Sequence, residues 1–120
     1  MNHDQVRTCG DEDTLTGGDG ATLTGGERST LVAGDHSRLT AGDDSWLIAG
    51  CISTLTAGEH SKLIGGEASK LTAGPGSTLV WDYWGASRWR MVTAYVGENG
   101  IKPNVAYRLG KNHKPMEVKP

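Results

Sequence analysis

The sequence predicts an all-β protein, a β-solenoid of sixteen-residue coils closed by a small C-terminal β cap. From Cys9 to Val80 the chain divides into nine octads without an insertion. Within each octad, small or apolar residues alternate with polar ones, as in a strand. Only 36% of the residues are apolar and Phe is absent. We therefore expect stability to come from a regular hydrogen-bonded repeat rather than from a thick core.

The octads share the pattern small–Gly–x–x–Ser–x–Leu–(Thr/Val/Ile), as in "AGDDSWLI" and "AGCISTLT". The Gly and the polar residues after it indicate a turn, and Ser-x-Leu-x-Ala indicates a short strand. One octad is too short to fold alone, but octads paired into stacked coils can hydrogen-bond to their neighbours. The pattern predicts a short lead at 1–8, a solenoid of about 4.5 coils at 9–80 and a capping unit at 81–120. A right-handed and a left-handed solenoid are both compatible with this pattern.

One ladder of leucines is expected to point inward, flanked by the Ser two residues before and the Ala or Gly two residues after. Its members are Leu15, Leu23, Leu31, Leu39, Leu47, Leu55, Leu63, Leu71 and Leu79. Inward Ser side chains need hydrogen bonds, either to turn backbone or to the Ser one coil away. No His or acid lies at a fixed offset that could activate them as nucleophiles. The sequence thus predicts no enzyme, no cofactor and no metal site.

The sixth and eighth octad positions point outward, and odd and even octads should form opposite faces. The even face then carries Thr22/Thr24, Arg38/Thr40, Thr54/Thr56 and Lys70/Thr72. The odd face carries Thr14/Thr16, Thr30/Val32, Trp46/Ile48, Lys62/Ile64 and Thr78/Val80.

The odd face is expected to hold a ridge of Val32, Ile48, Ile64 and Val80 beside Trp46. Contiguous apolar patches usually mark interfaces, and identical ridges suit a two-fold dimer. We interpret the ridge as a seam between copies with Trp46 as its anchor. Cover by the chain's own cap, or a surface for ice or another ligand, are the alternatives.

The even face stacks Thr24, Thr40, Thr56 and Thr72 in one column. These hydroxyls could hold ordered water, but Thr is also a favourable exposed strand residue. Arg38 and Lys70 interrupt the neighbouring column.

The turns carry acids, histidines and a cysteine. Asp11, Asp19, Glu27, Asp35, Asp43, Glu59 and Glu67 follow glycines, but calcium-binding β-rolls use a nine-residue period, so we expect solvated turn charges. His36 and His60 should lie on opposite edges. Cys9 should point inward and Cys51 should lie in a turn, too far apart for one disulfide.

The tail brings the aromatic residues that the repeat lacks. Trp81, Tyr83, Trp84, Trp89 and Tyr95 are the predicted cap residues. "SRWRMVTAYVG" alternates like a strand, "ENG" indicates a turn and "VAYRL" a second short strand. At the other end, the first coil offers an open strand edge, which we expect another subunit to mask.

Charge is unevenly distributed. Residues 9–80 hold ten acidic and four basic residues, whereas 81–120 hold three acidic and seven basic ones. An acidic body argues against nucleic acid as a partner and allows head-to-tail contact between copies. The sequence shows no transmembrane segment and no signal peptide, so the expected location by default is the cytoplasm.

Unbroken octads such as "STLTAG", paired into sixteen-residue coils, resemble the bacterial ice nucleation proteins. The tail "STLVWDYWGASRWRMVTAYVGENGIKPNVAYRL" is similar to that family's C-terminal cap, and the resemblance covers roughly residues 9–110. In that family, stacked outward Thr-x-Thr pairs organise water, basic coils before the cap support end-to-end assembly, and the proteins are associated with the outer membrane. The resemblance implies water-ordering roles for Thr14/Thr16, Thr22/Thr24 and Thr54/Thr56. It places Arg38, Lys62 and Lys70 in the basic coils.

The sequence also differs from that family, and we expect neither its N-terminal membrane-targeting domain nor its long central array here. Arg38 interrupts the Thr pairs on the even face and Val32 interrupts them on the odd face. We therefore expect a self-associating module with weak or assembly-dependent ice activity. The alternatives are a small ice-binding (antifreeze) protein that uses the even-face Thr residues, and an adhesion or carbohydrate-binding solenoid that stacks a sugar on Trp46.

Overall fold

The structure, a computed structural model, describes residues 6–8, 10–85, 88–98, 101–110 and 114–118. These residues form strands and turns, with no helix among them, in the β-solenoid that the octads predict. The strands are β1 (Val6–Thr8), β2 (Thr14–Thr16), β3 (Thr22–Thr24), β4 (Thr30–Val32), β5 (Arg38–Thr40), β6 (Trp46–Ile48), β7 (Thr54–Thr56), β8 (Lys62–Gly65), β9 (Lys70–Thr72), β10 (Thr78–Gly85), β11 (Arg88–Tyr95), β12 (Tyr107–Leu109) and β13 (Pro115–Glu117).

The strands alternate between two sheets. Within the described residues, sheet A has the order β1-β3-β5-β7-β9-β12-β13 and sheet B has the order β11-β10-β8-β6-β4-β2. Repeat strands pair in parallel with a register of one coil, so Leu31 lies beside Leu47 in sheet B and Leu39 lies beside Leu55 in sheet A. The prediction that even and odd octads form opposite faces is confirmed.

The core is the predicted leucine ladder. From Leu23 to Leu79 its members are fully buried, and Leu15, in the outermost strand of sheet B, is partly buried. Small residues such as Ala49 and Ala57 complete the interior. The small side chains allow the two sheets to lie close together.

The inward Ser side chains form both kinds of hydrogen bond that the sequence predicts, one to turn backbone and one to the Ser one coil away. The hydroxyl of Ser37 donates to the carbonyl oxygen of Gly34 at 2.8 Å, which closes the turn. The backbone N–H of Ser37 donates to the side-chain oxygen of Ser53 at 3.2 Å, which joins one coil to the next. Buried polar groups are therefore paired, and the Ser column fixes the register between coils.

The turns stack as regularly as the strands. The fourth octad position adopts a left-handed conformation throughout the repeat, at a φ of 60° for His36 and 56° for Ile52. Its backbone N–H bonds to the next coil; for example, His36 donates to the carbonyl oxygen of Cys51 at 2.9 Å. Turns of odd octads thus form one edge of the solenoid, here called the odd edge, and turns of even octads form the even edge. His36 and His60 lie on opposite edges, as predicted.

A strand precedes the first octad. Residues Val6–Thr8 form β1, which pairs in parallel with β3 and places Thr8 beside Thr24. The repeat register therefore reaches back into the 1–8 segment, whose octad motif is too degenerate to recognise. Among the described strands, β1 and β2 are the outermost at this end of the two sheets.

The last repeat strand continues across the predicted start of the cap at residue 81. β10 runs on from the last octad to Gly85, and β11 pairs with it in antiparallel orientation, from Thr78 opposite Tyr95 to Gly85 opposite Arg88. On sheet A, β12 lies next to β9 and forms a hairpin with β13, a strand that the sequence did not predict. The antiparallel strands cover the end of each sheet.

Trp81 closes the core at the cap. Its side chain is fully buried, and its indole N–H donates to the backbone carbonyl of Ser69 at 3.1 Å. Tyr83 is partly buried, whereas Tyr95 points outward and is 51% exposed. The side chains of Trp84 and Trp89, and Cys9 as a whole, lie outside the described residues.

Candidate interaction surfaces

The outer side of sheet A carries a column of threonines that is longer than the sequence predicted. Thr24, Thr40, Thr56 and Thr72 are Cα partners across adjacent strands, and β1 adds Thr8 below Thr24. Thr8, Thr24 and Thr40 are exposed, and Thr56 and Thr72 are partly exposed. We call this unbroken column, with hydroxyls about 4.8 Å apart, the Thr ladder. Its members are Thr8, Thr24, Thr40, Thr56 and Thr72.

The neighbouring column on sheet A mixes threonines with cations. Thr22, Arg38, Thr54 and Lys70 follow one another across β3, β5, β7 and β9. Tyr107 pairs with Leu71 in antiparallel orientation, which brings the exposed Arg108 beside Lys70. We call Arg38, Lys70 and Arg108 the basic column. As the sequence indicated, paired threonines do not continue from coil to coil here.

The outer side of sheet B is the more apolar one. Val32, Ile48 and Ile64 stack as Cα partners and are partly exposed; we call them the apolar column. Trp46 lies beside Ile48, points outward as predicted and is 52% exposed. The ammonium group of Lys62 lies 5.2 Å from the centre of the indole ring, so one face of Trp46 makes a cation–π contact.

Val80 does not belong to the exposed part of this surface. It is the next Cα partner after Ile64, but only 2% of it is exposed. β11 continues the sheet beyond β10 and places Thr93 opposite Val80. The exposed apolar column therefore ends at Ile64, and the predicted role of Val80 in self-association stays a prediction.

The cap extends the sheet B surface instead. Tyr95 lies opposite Thr78 and prolongs the column that contains Trp46 and Lys62. Met91, opposite Asp82, is also strongly exposed. This contribution depends on the register between β10 and β11, which the sequence did not predict.

The two turn edges differ in charge. Of the described residues, the odd edge holds seven carboxylates against one arginine, and the even edge holds three carboxylates. Arg28 pairs with Glu12 at 3.6 Å, with both side chains largely exposed. The odd-edge carboxylates are Asp11, Glu12, Asp13, Glu27, Asp43, Asp44 and Glu59, and those of the even edge are Asp19, Asp35 and Glu67.

Some of these carboxylates do more than carry a solvated charge. An oxygen of Asp43 accepts a hydrogen bond from the backbone N–H of Glu59 at 2.8 Å, and Asp35 accepts one from Cys51 at 2.9 Å. An Asp at the third octad position therefore joins its turn to the next coil. No group of three or more His, Cys, Asp or Glu side chains within the described part of the chain is arranged to hold a metal ion.

Cys51 lies in an even-edge turn, as predicted, as a free and partly exposed thiol. Beside it is a groove of about 390 Å³, which Asp82 and Met91 also line. Partial burial raises the pKa of the Asp82 carboxyl above its ordinary value. Ile52, the next residue in the turn, is 55% exposed.

A scan of protein-family models and searches of curated proteins and solved structures found no match to this chain. A search for helices long and apolar enough to cross a bilayer found none among the described residues.

Proposed function

We propose that this protein is a non-enzymatic module of the ice nucleation protein type, which orders water on sheet A and associates with itself through sheet B. The observation that carries the proposal is the difference between the two outer surfaces. Sheet A presents the Thr ladder, and sheet B presents the apolar column with Trp46. The resemblance of the octads and of the cap to that family supports the same interpretation.

The Thr ladder is suited to water because its geometry is fixed before water binds. Successive strands are joined by parallel hydrogen bonds, and Thr40 and Thr56 are in register across them. β-branched side chains have few rotamers, so each hydroxyl and methyl group repeats at the strand spacing of about 4.8 Å. A rigid periodic surface can order water without a large entropic cost of its own.

The length of the ladder limits what one molecule can do. The ladder crosses β1, β3, β5, β7 and β9, a span of about 20 Å. Such a narrow surface orders few waters at once, so we propose that ice activity depends on assembly.

Sheet B supplies the first contact for assembly. Trp46 and Tyr95 present aromatic surface in one column, beside the apolar column of Val32, Ile48 and Ile64. Aromatic side chains often anchor interfaces, and a flat ridge can pair with its own copy about a two-fold axis. The six described strands of sheet B span about 25 Å along the outward columns, and a three-residue repeat strand adds about 10 Å in the other direction, which gives roughly 250 Å² per copy. This is below the ~800 Å² per partner of a standard interface, so the dimer should be weak and dependent on concentration.

Substitutions on each surface test the proposal separately. Trp46→Glu should reduce self-association in sedimentation velocity, whereas Thr24→Glu, an equal charge change at an exposed position of sheet A outside the column that contains Arg38 and Lys70, should not. Thr40→Lys with Thr56→Lys should abolish any rise in freezing temperature in droplet assays. The matched control, Thr22→Lys with Thr54→Lys, adds the same charges to the column that already contains cations and should retain most of the rise. The proposal fails if the ladder variant and its control behave alike.

A small ice-binding protein is the second candidate, because the Thr ladder includes Thr8 and is unbroken. Such a protein would inhibit the growth of existing ice as a monomer. Thermal hysteresis that persists in the Trp46→Glu variant, without any rise in droplet freezing temperature, would favour this candidate.

A further inference from the structure

The outer side of sheet B carries two aromatic rings in one column, and we propose that this column binds an extended, neutral β-1,4-linked glycan of the cellulose or chitin type. Trp46, Lys62, Thr78 and Tyr95 are successive Cα partners on β6, β8, β10 and β11, and we call them the aromatic column. The sequence alone indicates only Trp46, because Tyr95 joins the column through the pairing of β11 with β10. Such a site goes beyond the proposed function, since its ligand is a sugar chain rather than water or a second copy.

Both aromatic side chains are held on a hydrogen-bonded sheet and remain open to solvent. Trp46 is 52% exposed and Tyr95 is 51% exposed. The ammonium group of Lys62 lies 5.2 Å from the centre of the Trp46 ring, and this cation–π contact restricts the indole. Aromatic rings attract the C–H groups of sugar rings because the face of the π-system is negative. Rings that are ordered before binding lose little conformational entropy when a ligand stacks on them.

The distance between the two rings fits a sugar chain. Three strand spacings separate Trp46 from Tyr95, which gives about 14 Å between their α-carbons. In an extended β-1,4-linked glycan, successive sugar rings follow one another at a spacing close to that of neighbouring β-strands. A chain laid along the column would therefore reach from one aromatic ring to the other within about three sugar units. Lys62 and Thr78, between the rings, supply hydrogen-bond donors for the sugar hydroxyl groups.

A groove beside Tyr95 extends the aromatic column onto the cap. It has a volume of about 400 Å³, and its lining includes Tyr95, Glu98, Ile101 and Lys114. Ligand sites combine apolar and aromatic walls with a few polar groups that fix the orientation of the ligand. In this groove, the carboxylate of Glu98 can accept hydrogen bonds from sugar hydroxyls and the ammonium group of Lys114 can donate them. The groove therefore gives the glycan a place to continue past Tyr95.

The size and charge of this surface favour a neutral glycan. The outer side of sheet B offers roughly 250 Å² per copy, well below the ~800 Å² per partner of a standard protein interface. A single sugar chain is narrow enough to be held by one column. Carboxylates lie on both turn edges; Asp44, for example, is two residues before Trp46 in the chain. A polysaccharide with carboxylate or sulfate groups would be repelled by them.

Calorimetric titration of the whole protein with short sugar chains tests the site. Cellohexaose and chitohexaose distinguish a glucose polymer from an N-acetylglucosamine polymer, and maltohexaose, an α-linked chain of equal length that curls, is the control ligand. We expect at least one β-linked hexasaccharide to bind, and maltohexaose to bind at least about tenfold more weakly. The corresponding β-linked disaccharide is too short to reach both aromatic rings, so it should also bind at least about tenfold more weakly.

Substitutions test the contribution of each ring. Trp46→Ala and Tyr95→Ala should each weaken hexasaccharide binding about tenfold, because each removes one stacking surface. In either variant the hexasaccharide should lose most of its advantage over the disaccharide, a change that a merely structural role would not produce. Tyr95→Phe keeps the ring and should retain most of the affinity. Met91→Ala is the matched control, because Met91 is 65% exposed on the same sheet but lies outside the aromatic column.

The outcomes separate this site from the self-association of sheet B. Hexasaccharide binding should persist at concentrations where sedimentation velocity shows a monomer, and the bound sugar should disperse dimers that form at higher concentrations. Dimers that stay intact in saturating hexasaccharide, unchanged binding in Tyr95→Ala, or equal binding of maltohexaose would each overturn the glycan site. Absence of binding by both β-linked hexasaccharides overturns it too, even if Trp46→Glu still reduces self-association. A protein that binds the hexasaccharide through both rings but is monomeric at all concentrations keeps the glycan site and loses the sheet B seam.

Discussion

The backbone N–H of Ser45 donates a hydrogen bond to the side-chain oxygen of Ser61, one coil further along the chain, at 3.2 Å. The hydroxyl of Ser61 in turn lies 3.3 Å from the carbonyl oxygen of Glu59 and 3.4 Å from that of Gly42. One small side chain therefore satisfies the backbone of two coils. Repetition of this arrangement keeps the outward columns in register and so supports both proposed surfaces.

Ser61→Ala should lower the free energy of unfolding by about 1–3 kcal/mol, because it leaves buried backbone groups without their hydrogen bonds. Thr54→Ala, at an exposed outward position, should change it by less than about 0.5 kcal/mol. Urea unfolding measures both values. Equal effects of the two substitutions would mean that the Ser column does not stabilise the coils.

Gly34→Ala should destabilise the fold by about 1–3 kcal/mol through overpacking. A β-carbon at Gly34 would collide with the Asp19 side chain and would lie 3.0 Å from the Asp19 backbone nitrogen on the preceding coil. Gly18→Ala is the control, since a β-carbon there meets nothing within 4 Å. Thermal unfolding of the two variants should differ clearly; similar melting temperatures would contradict the close approach of the turns.

Ile52→Gly should raise the free energy of unfolding by about 1 kcal/mol, because a β-branched residue is strained in the left-handed conformation. The reverse change, Gly20→Ile, should lower it by about 1–2 kcal/mol. Gly20 has a φ of 75° and open space around its α-carbon, so only backbone strain would act there. The prediction is wrong if the two substitutions change the free energy of unfolding, measured with urea, in the same direction.

Asp82→Asn should stabilise the protein at neutral pH. Desolvation raises the pKa of Asp82 in the folded state above its unfolded value, so the charged form is disfavoured by folding. The folded state then gains stability as the pH falls through the raised pKa and Asp82 becomes protonated. The benefit of Asp82→Asn should therefore shrink as the pH is lowered. Urea unfolding at pH 7 and pH 3 checks this, and a difference that does not change with pH would contradict it.

Most of the solenoid could be predicted from the sequence because each octad repeats the same local signals. Gly marked the turn, Leu marked the core, and the period of two assigned Trp46 to the outside. The solenoid fold, the opposite faces, the inward Ser bonds and the exposure of Trp46 are all confirmed. The structure places the predicted even-face threonines in one column, while their role in ordering water stays a prediction.

The remaining features depend on pairings that no repeat signals. β1 has Arg7 where other strands have Leu, so its register with β3 was not visible and Thr8 was missed. The antiparallel partner of β10 places Thr93 beside Val80 and leaves Tyr95 exposed, and β12 brings Arg108 beside Lys70. Such long-range pairings decide which outward residues remain accessible, and local periodicity contains no information about them.

Droplet freezing of the unsubstituted protein and of the Trp46→Glu variant, over a wide range of protein concentration, tests the central claim most directly. That claim is that water ordered on sheet A becomes effective when copies associate through sheet B. We predict a freezing temperature that rises above matched buffer with increasing concentration for the unsubstituted protein, and little or no rise for the variant, although Trp46 lies on the opposite sheet from the Thr ladder. No rise over buffer at any concentration, or identical curves for the two proteins, would contradict the account.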